Sequence, residues 1–223
     1  MFINKKYGFT LGETLAAMLI VGIIAILSLP SLMKNVQEKS RMSLLKGTVA
    51  TVGNVIQSEL TKQRTTEITS TDIYKDPQKF IQKFESAKSG KPFATSYKRY
   101  SDSKVASNVI IPSDDNQGQA VLLLKNGVGI GIVNDSENSK TSVVVDVTGA
   151  DKPNMVGVDY YILKVEWYDG NGYRAGDISG YQNGGIEGEE TSAGLKTSCL
   201  EGNGAACFRM VELSGYEPRY LDK

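Results

Sequence analysis

The chain has 223 residues, enough for one folded domain and an appendage, with 25 basic and 25 acidic residues and no net formal charge. That balance excludes the broad basic face that general nucleic-acid affinity requires, so no nucleic-acid partner is expected. There is no histidine, which removes the commonest general base, the commonest metal ligand and the usual catalytic triads.

The first informative stretch is Lys5-Lys6-Tyr7-Gly8-Phe9-Thr10-Leu11-Gly12-Glu13, and from Thr14 to Met33 no charged residue follows. A carboxylate at the head of such a run is expensive. An acidic residue costs about 2.5–3.5 kcal/mol at mid-membrane and less near an end, so Glu13 is a functional candidate by default. The plainer alternative is an uncleaved signal anchor with Glu13 at headgroup level. The apolar segment from Leu15 to Leu29 is, with its flanks, long enough for a span of about 20 residues. A secretory signal has a shorter apolar core and a small-residue cleavage site, and Ser28-Leu29-Pro30-Ser31-Leu32 offers a poor one. Pro30 removes a helical hydrogen bond and favours a bend. Beyond it, Met42, Leu45, Val49, Val52 and Ile56 recur at spacings of 3, 4, 3 and 4, and Leu60 continues the series. This is one apolar stripe on a polar helix. The pattern predicts one helix from Phe9 to Leu60, roughly 75 Å long, bare in its first half and packed in its second.

The N-terminal residues resemble the class III leader of type IV prepilins and type II secretion pseudopilins. The shared features are the basic pair, the glycine, Phe-Thr-Leu, a glutamate at the same offset and the apolar run. Gly12 departs from the pattern, since an aliphatic residue is more usual there, and glycine costs a helix interior about 1 kcal/mol. The resemblance implies that prepilin peptidase cuts between Gly8 and Phe9 on the cytoplasmic side and methylates the new Phe9 amine. It implies that Glu13 and Pro30 serve assembly, with Pro30 marking where the helix bends or melts in a filament. It implies four kinds of partner: the peptidase, other pilin or pseudopilin subunits, an inner-membrane assembly platform and membrane lipid. The protein would be single-pass in the inner membrane, its head periplasmic or extracellular, before entering a pilus or pseudopilus. A plain count of flanking positive charge, Lys5 and Lys6 against Lys34, Lys39, Arg41 and Lys46, does not give this orientation. The orientation rests on the resemblance. Loss of Lys5 and Lys6 with the leader takes the basic count from 25 to 23 against 25 acidic residues, a formal charge of −2.

The implied organisation is a leader over 1–8, a helix over 9–60 and a head over 61–223. Within the helix, 9–33 forms the membrane or filament core and 34–60 packs on the head. In the head, Gln63 to Ser70 reads as a polar linker. Asp76 to Phe84 reads as a short helix with proline in its first turn, its apolar face packing in the core and its end at Gly90. Strands are expected over Val105–Ile111, Ala120–Leu124, Val128–Val133, Ser142–Val147 and Val158–Trp167. Lys125-Asn126-Gly127 is a hairpin turn. An antiparallel sheet with one apolar face needs a cover, and the amphipathic half-helix is available. The fold class is therefore α+β, and the resemblance makes it pilin-like.

The loop from Asp146 to Asp159 resembles a D-x-N-G…P-N…G-x-D segment of pseudopilin-like heads, with Thr148 where asparagine is usual. Its carboxylates and Asn154 are oxygen donors of the kind Ca²⁺ takes, but the spacing is not an EF-hand loop. The same residues make an ordinary tight turn, and that is the reading preferred, with no metal ligand and no cofactor assigned. Asp169 to Ser198 reads as a long surface loop. Cys199 and Cys207 read as a disulfide in a chain that leaves the cytoplasm, contributing about 2–3 kcal/mol. A redox-active pair is the alternative, but Cys-x-x-Cys spacing is absent. Asn203 is placed to cap a helix from Ala205 to Leu213, closed by Gly215.

Three functions are weighed. The first is a structural filament subunit, a minor pilin or pseudopilin. The second is a displayed adhesin or substrate-binding head, using the Asp169–Ser198 loop and Tyr168, Tyr173 and Tyr181. The third, a membrane-anchored enzyme, is set aside. There is no phosphate loop or nucleophile elbow, and Glu189-Glu190 lies where nothing would shift its pKa values.

Overall fold

The computed structural model of the protein describes residues 10–86, 89–137, 139–166, 177–179, 192–218 and 220–221. The chain divides into two compact units, Met1–Ser40 and Arg41–Lys223. Helix α1, Leu11–Gln63, contributes to both, and its helical hydrogen bonding continues on either side of Pro30.

In the first unit every large apolar side chain of α1 is exposed, from Leu11 through Leu19 and Leu27 to Val36. By length and composition α1 is apolar enough to cross a membrane, and among the described residues it is the one helix that is.

In the second unit the pattern of α1 inverts. Met42, Leu45, Val52, Ile56 and Leu60 are buried, and Val49 is half-buried. They share one core with a five-stranded antiparallel sheet in the order β1 (Gln119–Leu123), β2 (Gly129–Asp135), β3 (Lys140–Asp146), β4 (Tyr160–Glu166) and β5 (Asp177–Ser179). The register sets Ile132 opposite Val143, and Val143 opposite Leu163. Alternation then puts Ile130, Val145 and Tyr161 on the same face, and all six are fully buried. Near the C-terminal end of α1, Glu59 is almost wholly buried. It accepts from Gln63 Nε2 at 2.6 Å and faces Lys83 Nζ at 3.7 Å and Lys62 Nζ at 3.9 Å. That ties α1 to the chain just past the short helix Pro77–Ile81.

The second face of the sheet is also covered. A Cβ on Gly129 would lie 1.8 Å from Pro92 O, and one on Gly131 would lie 2.6 Å from Pro112 Cγ. The strap 91–112 therefore lies over β2, its Pro92 backbone against Gly129, which only glycine permits, and its Pro112 ring against Gly131. Helix α5 (Gly204–Leu213) covers β4, where a Cβ on Gly204 would meet Tyr160 Cε1 at 2.9 Å.

The hairpin turn forms where expected, with Gly127 at φ +86° and its N–H donating to Leu124 O at 2.9 Å. Asn203 caps α5, its Oδ1 accepting from Ala205 N and Ala206 N. Four expectations need correction. Val105–Ile111 is not a strand. Only Val105 forms a bridge, to Lys98, while the N–H and carbonyl of Ile110 bond the Tyr160 hydroxyl, which takes the place of a neighbouring strand. The helix after Asp76 is α3, Pro77–Ile81, and stops well before Gly90. Phe84 lies beyond it yet still meets the Phe80 ring edge-on at 5.0 Å. The expected linker holds a 3₁₀ turn, Ile68–Ser70, that buries Ile68, and α2 (Asp72–Lys75) follows it. The expected loop before Cys199 ends in helix α4, Ser192–Leu200, and also contains β5.

Candidate functional sites: the helix head and the acidic turn

The first site is the start of α1. Thr10 precedes the helix and Glu13 is its third residue, the spacing of a capping box. Glu13 Oε2 accepts from the Thr10 N–H and the Thr10 hydroxyl, both at 2.8 Å, and Thr10 Oγ1 accepts from the Glu13 N–H at 3.3 Å. Glu13 is exposed, as are Leu11, Leu15 and Met18 around it. This carboxylate thus satisfies amides of its own helix while standing among unburied apolar side chains. Gly8 and Phe9 lie outside the described residues, and so do Tyr168, Tyr173, Tyr181, Glu189 and Glu190.

The second site, in the other unit, is the turn between β3 and β4. Asp146 ends β3 and Asp159 precedes β4, so the sheet brings both carboxylates to one end of adjacent strands. Both are fully buried. Asp146 Oδ2 accepts from the Tyr97 hydroxyl at 2.5 Å, and Oδ1 accepts from the Thr148 N–H at 3.0 Å. Asp159 Oδ1 accepts from the Met155 N–H and Oδ2 from the Asn154 N–H, each at 2.7 Å. The strap holds the turn from outside, through Lys98 N to Asn154 O at 2.9 Å and Ala150 N to Lys91 O at 3.2 Å. Gly157 closes it at φ +82°, its carbonyl accepting from the Tyr161 and Tyr220 hydroxyls at 3.1 and 2.7 Å.

Burial, and then the charge of Asp159, pushes the Asp146 carboxyl up to about 7. Burial raises Asp159 as well, opposed by the Met155 and Asn154 amides, the Thr148 hydroxyl and the field of Arg41. Burial lifts the Tyr97 phenol far above its ordinary value.

Ca²⁺ is the cation that an all-oxygen set of this kind would select. In its favour, Asn154 Oδ1 is buried without a hydrogen-bond partner. All four carboxylate oxygens accept hydrogen bonds from the chain, and the Thr148 hydroxyl lies 3.3 Å from Asp146 Oδ1 and 3.1 Å from Asp159 Oδ2. Among the described residues no three acidic, histidine or cysteine side chains converge to hold a metal. Ca²⁺ takes six to eight oxygens at 2.3–2.6 Å, carboxylate, amide and backbone oxygens among them.

Cys199 on α4 and Cys207 on α5 form a disulfide, and both are fully buried. It lies against the turn, since a Cβ on Gly157 would sit 2.9 Å from Cys207 Sγ and 3.2 Å from Cys199 Sγ. Sequence reasoning missed Tyr97 and Glu59. Glu59 had a signal, since it falls three residues after Ile56 and next to Leu60, on the edge of the buried stripe. Tyr97 had none. Comparison with known protein families, characterised proteins and solved structures finds no match for this chain.

Proposed function

We propose that the chain is a structural subunit, a minor pilin or pseudopilin, of a type IV pilus or type II secretion-type filament. The observation that supports this best is the inversion along α1. One continuous helix leaves its large apolar side chains bare from Leu11 to Val36 and buries them from Met42 onward. A helix of an ordinary soluble core would bury both parts. A cleaved signal peptide would not continue into a buried stripe. The Lys5–Glu13 leader residues and the α+β head agree with the reading.

The mechanism is assembly without chemical turnover. Prepilin peptidase cuts at Gly8–Phe9, the bare helix holds the subunit in the inner membrane, and that same surface later forms the filament core. Once lipid and water are left behind, the Glu13 carboxylate needs more than its capping contacts, because an unpaired buried charge is costly. The methylated amine of Phe9 on a neighbouring subunit supplies the opposite charge and sets the axial register. Removing one member of a buried pair costs about 3–5 kcal/mol.

The capping box makes the test sharper. Glu13→Gln keeps an N3 residue that can reach back to Thr10 but removes the charge. The variant is expected to be cleaved at Gly8–Phe9 and to fail in filament incorporation. Normal incorporation of Glu13→Gln would leave the charge with no role in register.

A further inference from the structure

The acidic turn brings oxygens together with too few protons between them. Around Thr148 Oγ1 stand Asp146 Oδ1 at 3.3 Å, Asp159 Oδ2 at 3.1 Å and the main-chain oxygen of Asp151 at 3.0 Å. A hydroxyl carries one proton and donates it to one acceptor. With both carboxylates ionised, the Thr148 proton is the only one among these four oxygens, and two of the three contacts set lone pair against lone pair. Neither carboxylate forms an ion pair among the described residues. Two carboxylates buried this close, hydrogen-bonded but without an ion-pair partner, each disfavour ionisation of the other.

One added proton links the two carboxylates through Thr148 and leaves only the Asp151 oxygen facing Oγ1 without a proton between them. On Asp146 Oδ1 it donates to Thr148 Oγ1, whose own proton donates to Asp159 Oδ2. The remaining negative charge rests on Asp159, which has two amide donors at 2.7 Å and feels the field of Arg41. We propose that a single proton, shared between Asp146 and Asp159 through Thr148, closes the 146–159 turn, and that the head loosens as rising pH removes it. The Asp146 O–H bond breaks, the proton passes to the solvent buffer, and two buried carboxylates are left facing one hydroxyl. The inference does not depend on the filament reading.

The groups that face this pair do not titrate with it. Tyr97 from the strap, Tyr160 and Tyr161 from β4, and Tyr220 are all raised by burial and stay neutral. Arg41 from α1 is the basic side chain whose field reaches Asp159. Lys91, Lys98, Asp151 and Lys152 at the rim are exposed. Elsewhere, Glu85 is held low by its bond from Lys125 and Asp102 by the Lys104 amide, so both titrate in acid, below the window that matters.

The test is thermal unfolding of the full-length protein in detergent micelles, with chelator and with added CaCl₂. From about pH 5.5 to about pH 8.5 the melting temperature of the head is expected to fall by about 5 °C, judged from the usual shift for a body of this size. In Asp146→Asn the fall should shrink to less than half, and CaCl₂ should not restore the parent protein at the alkaline end. Infrared spectra of the parent protein alone provide a second readout. The carbonyl stretch of a buried protonated carboxylic acid should be present on the acid side of neutrality and absent on the alkaline side. A flat or rising melting temperature, an unchanged slope in Asp146→Asn, rescue by CaCl₂, or no protonated-acid band in slightly acid solution would each overturn the proposal.

Discussion

Replacing Gly157 by alanine probes the contact between the acidic turn and the disulfide, and Gly127→Ala provides its control. The two glycines share almost the same backbone, φ +82° and φ +86°. They differ in surroundings. A Cβ on Gly127 meets nothing within 4 Å, whereas on Gly157 it would lie 2.9 Å from Cys207 Sγ, 3.1 Å from Tyr220 Oη and 3.2 Å from Cys199 Sγ. The left-handed backbone costs an L-residue about 1–2 kcal/mol, and both variants bear that term. Only Gly157→Ala adds crowding in a closed core, worth about 1–3 kcal/mol, because neither sulfur is the free end of a flexible side chain. Gly127→Ala is thus expected to cost about 1–2 kcal/mol and Gly157→Ala about 2–5 kcal/mol. For a body of this size the second loss lowers the melting temperature by roughly 5–15 °C. The assay is thermal and denaturant unfolding of both full-length variants in detergent, side by side. Equal losses would refute the argument that the disulfide braces this turn.

Three further outcomes follow from the same structure. Ile56→Ala, in the fully buried stripe of α1, should destabilise the head by about 2–5 kcal/mol, whereas Leu27→Ala, in the exposed part, should leave head unfolding unchanged in detergent. The double variant Cys199→Ser/Cys207→Ser opens a loop of 8 residues' separation and should cost about 2–3 kcal/mol, read by denaturant midpoint, with the bridge itself mapped by peptide masses before and after reduction. The Asp146 carboxyl, raised from 3.8 to about 7, contributes stability that is fully present below about pH 4 and is lost as pH climbs to 7. Across that whole span the loss approaches about 4 kcal/mol, measured as unfolding free energy against pH.

Some parts of this molecule were readable because their cause is local. The Lys125-Asn126-Gly127 turn needs a positive φ at its glycine, and Asn203 needs only the two amides that follow it, so both could be placed from neighbouring residues. The stripe from Met42 to Leu60 was legible because helical period and burial coincide. Elements governed by distant partners were not legible. Val105–Ile111 has the β-branched composition of a strand, but Tyr160, 50 residues from Ile110, takes its backbone bonds. Helix α4 was hidden by its Ser, Gly and Thr content. Its one signal was Leu195 and Cys199, four apart and both buried. The acidic turn was singled out by its Asp, Asn and Gly residues, yet its chemistry depends on Tyr97, 49 residues away from Asp146. Likewise, the closeness of the strap to β2 is visible only in the space denied to a side chain at Gly129.

The central claim is that this chain is cut after Gly8 and enters a filament through its N-terminal helix. The most direct test is the intact mass of the protein purified from cells with and without prepilin peptidase. The filament reading predicts, in the first case, a product that begins at Phe9, lacks residues 1–8 and carries one added methyl group, and in the second case the full-length chain. A full-length product in both strains would contradict it and leave an uncleaved membrane anchor carrying the folded head.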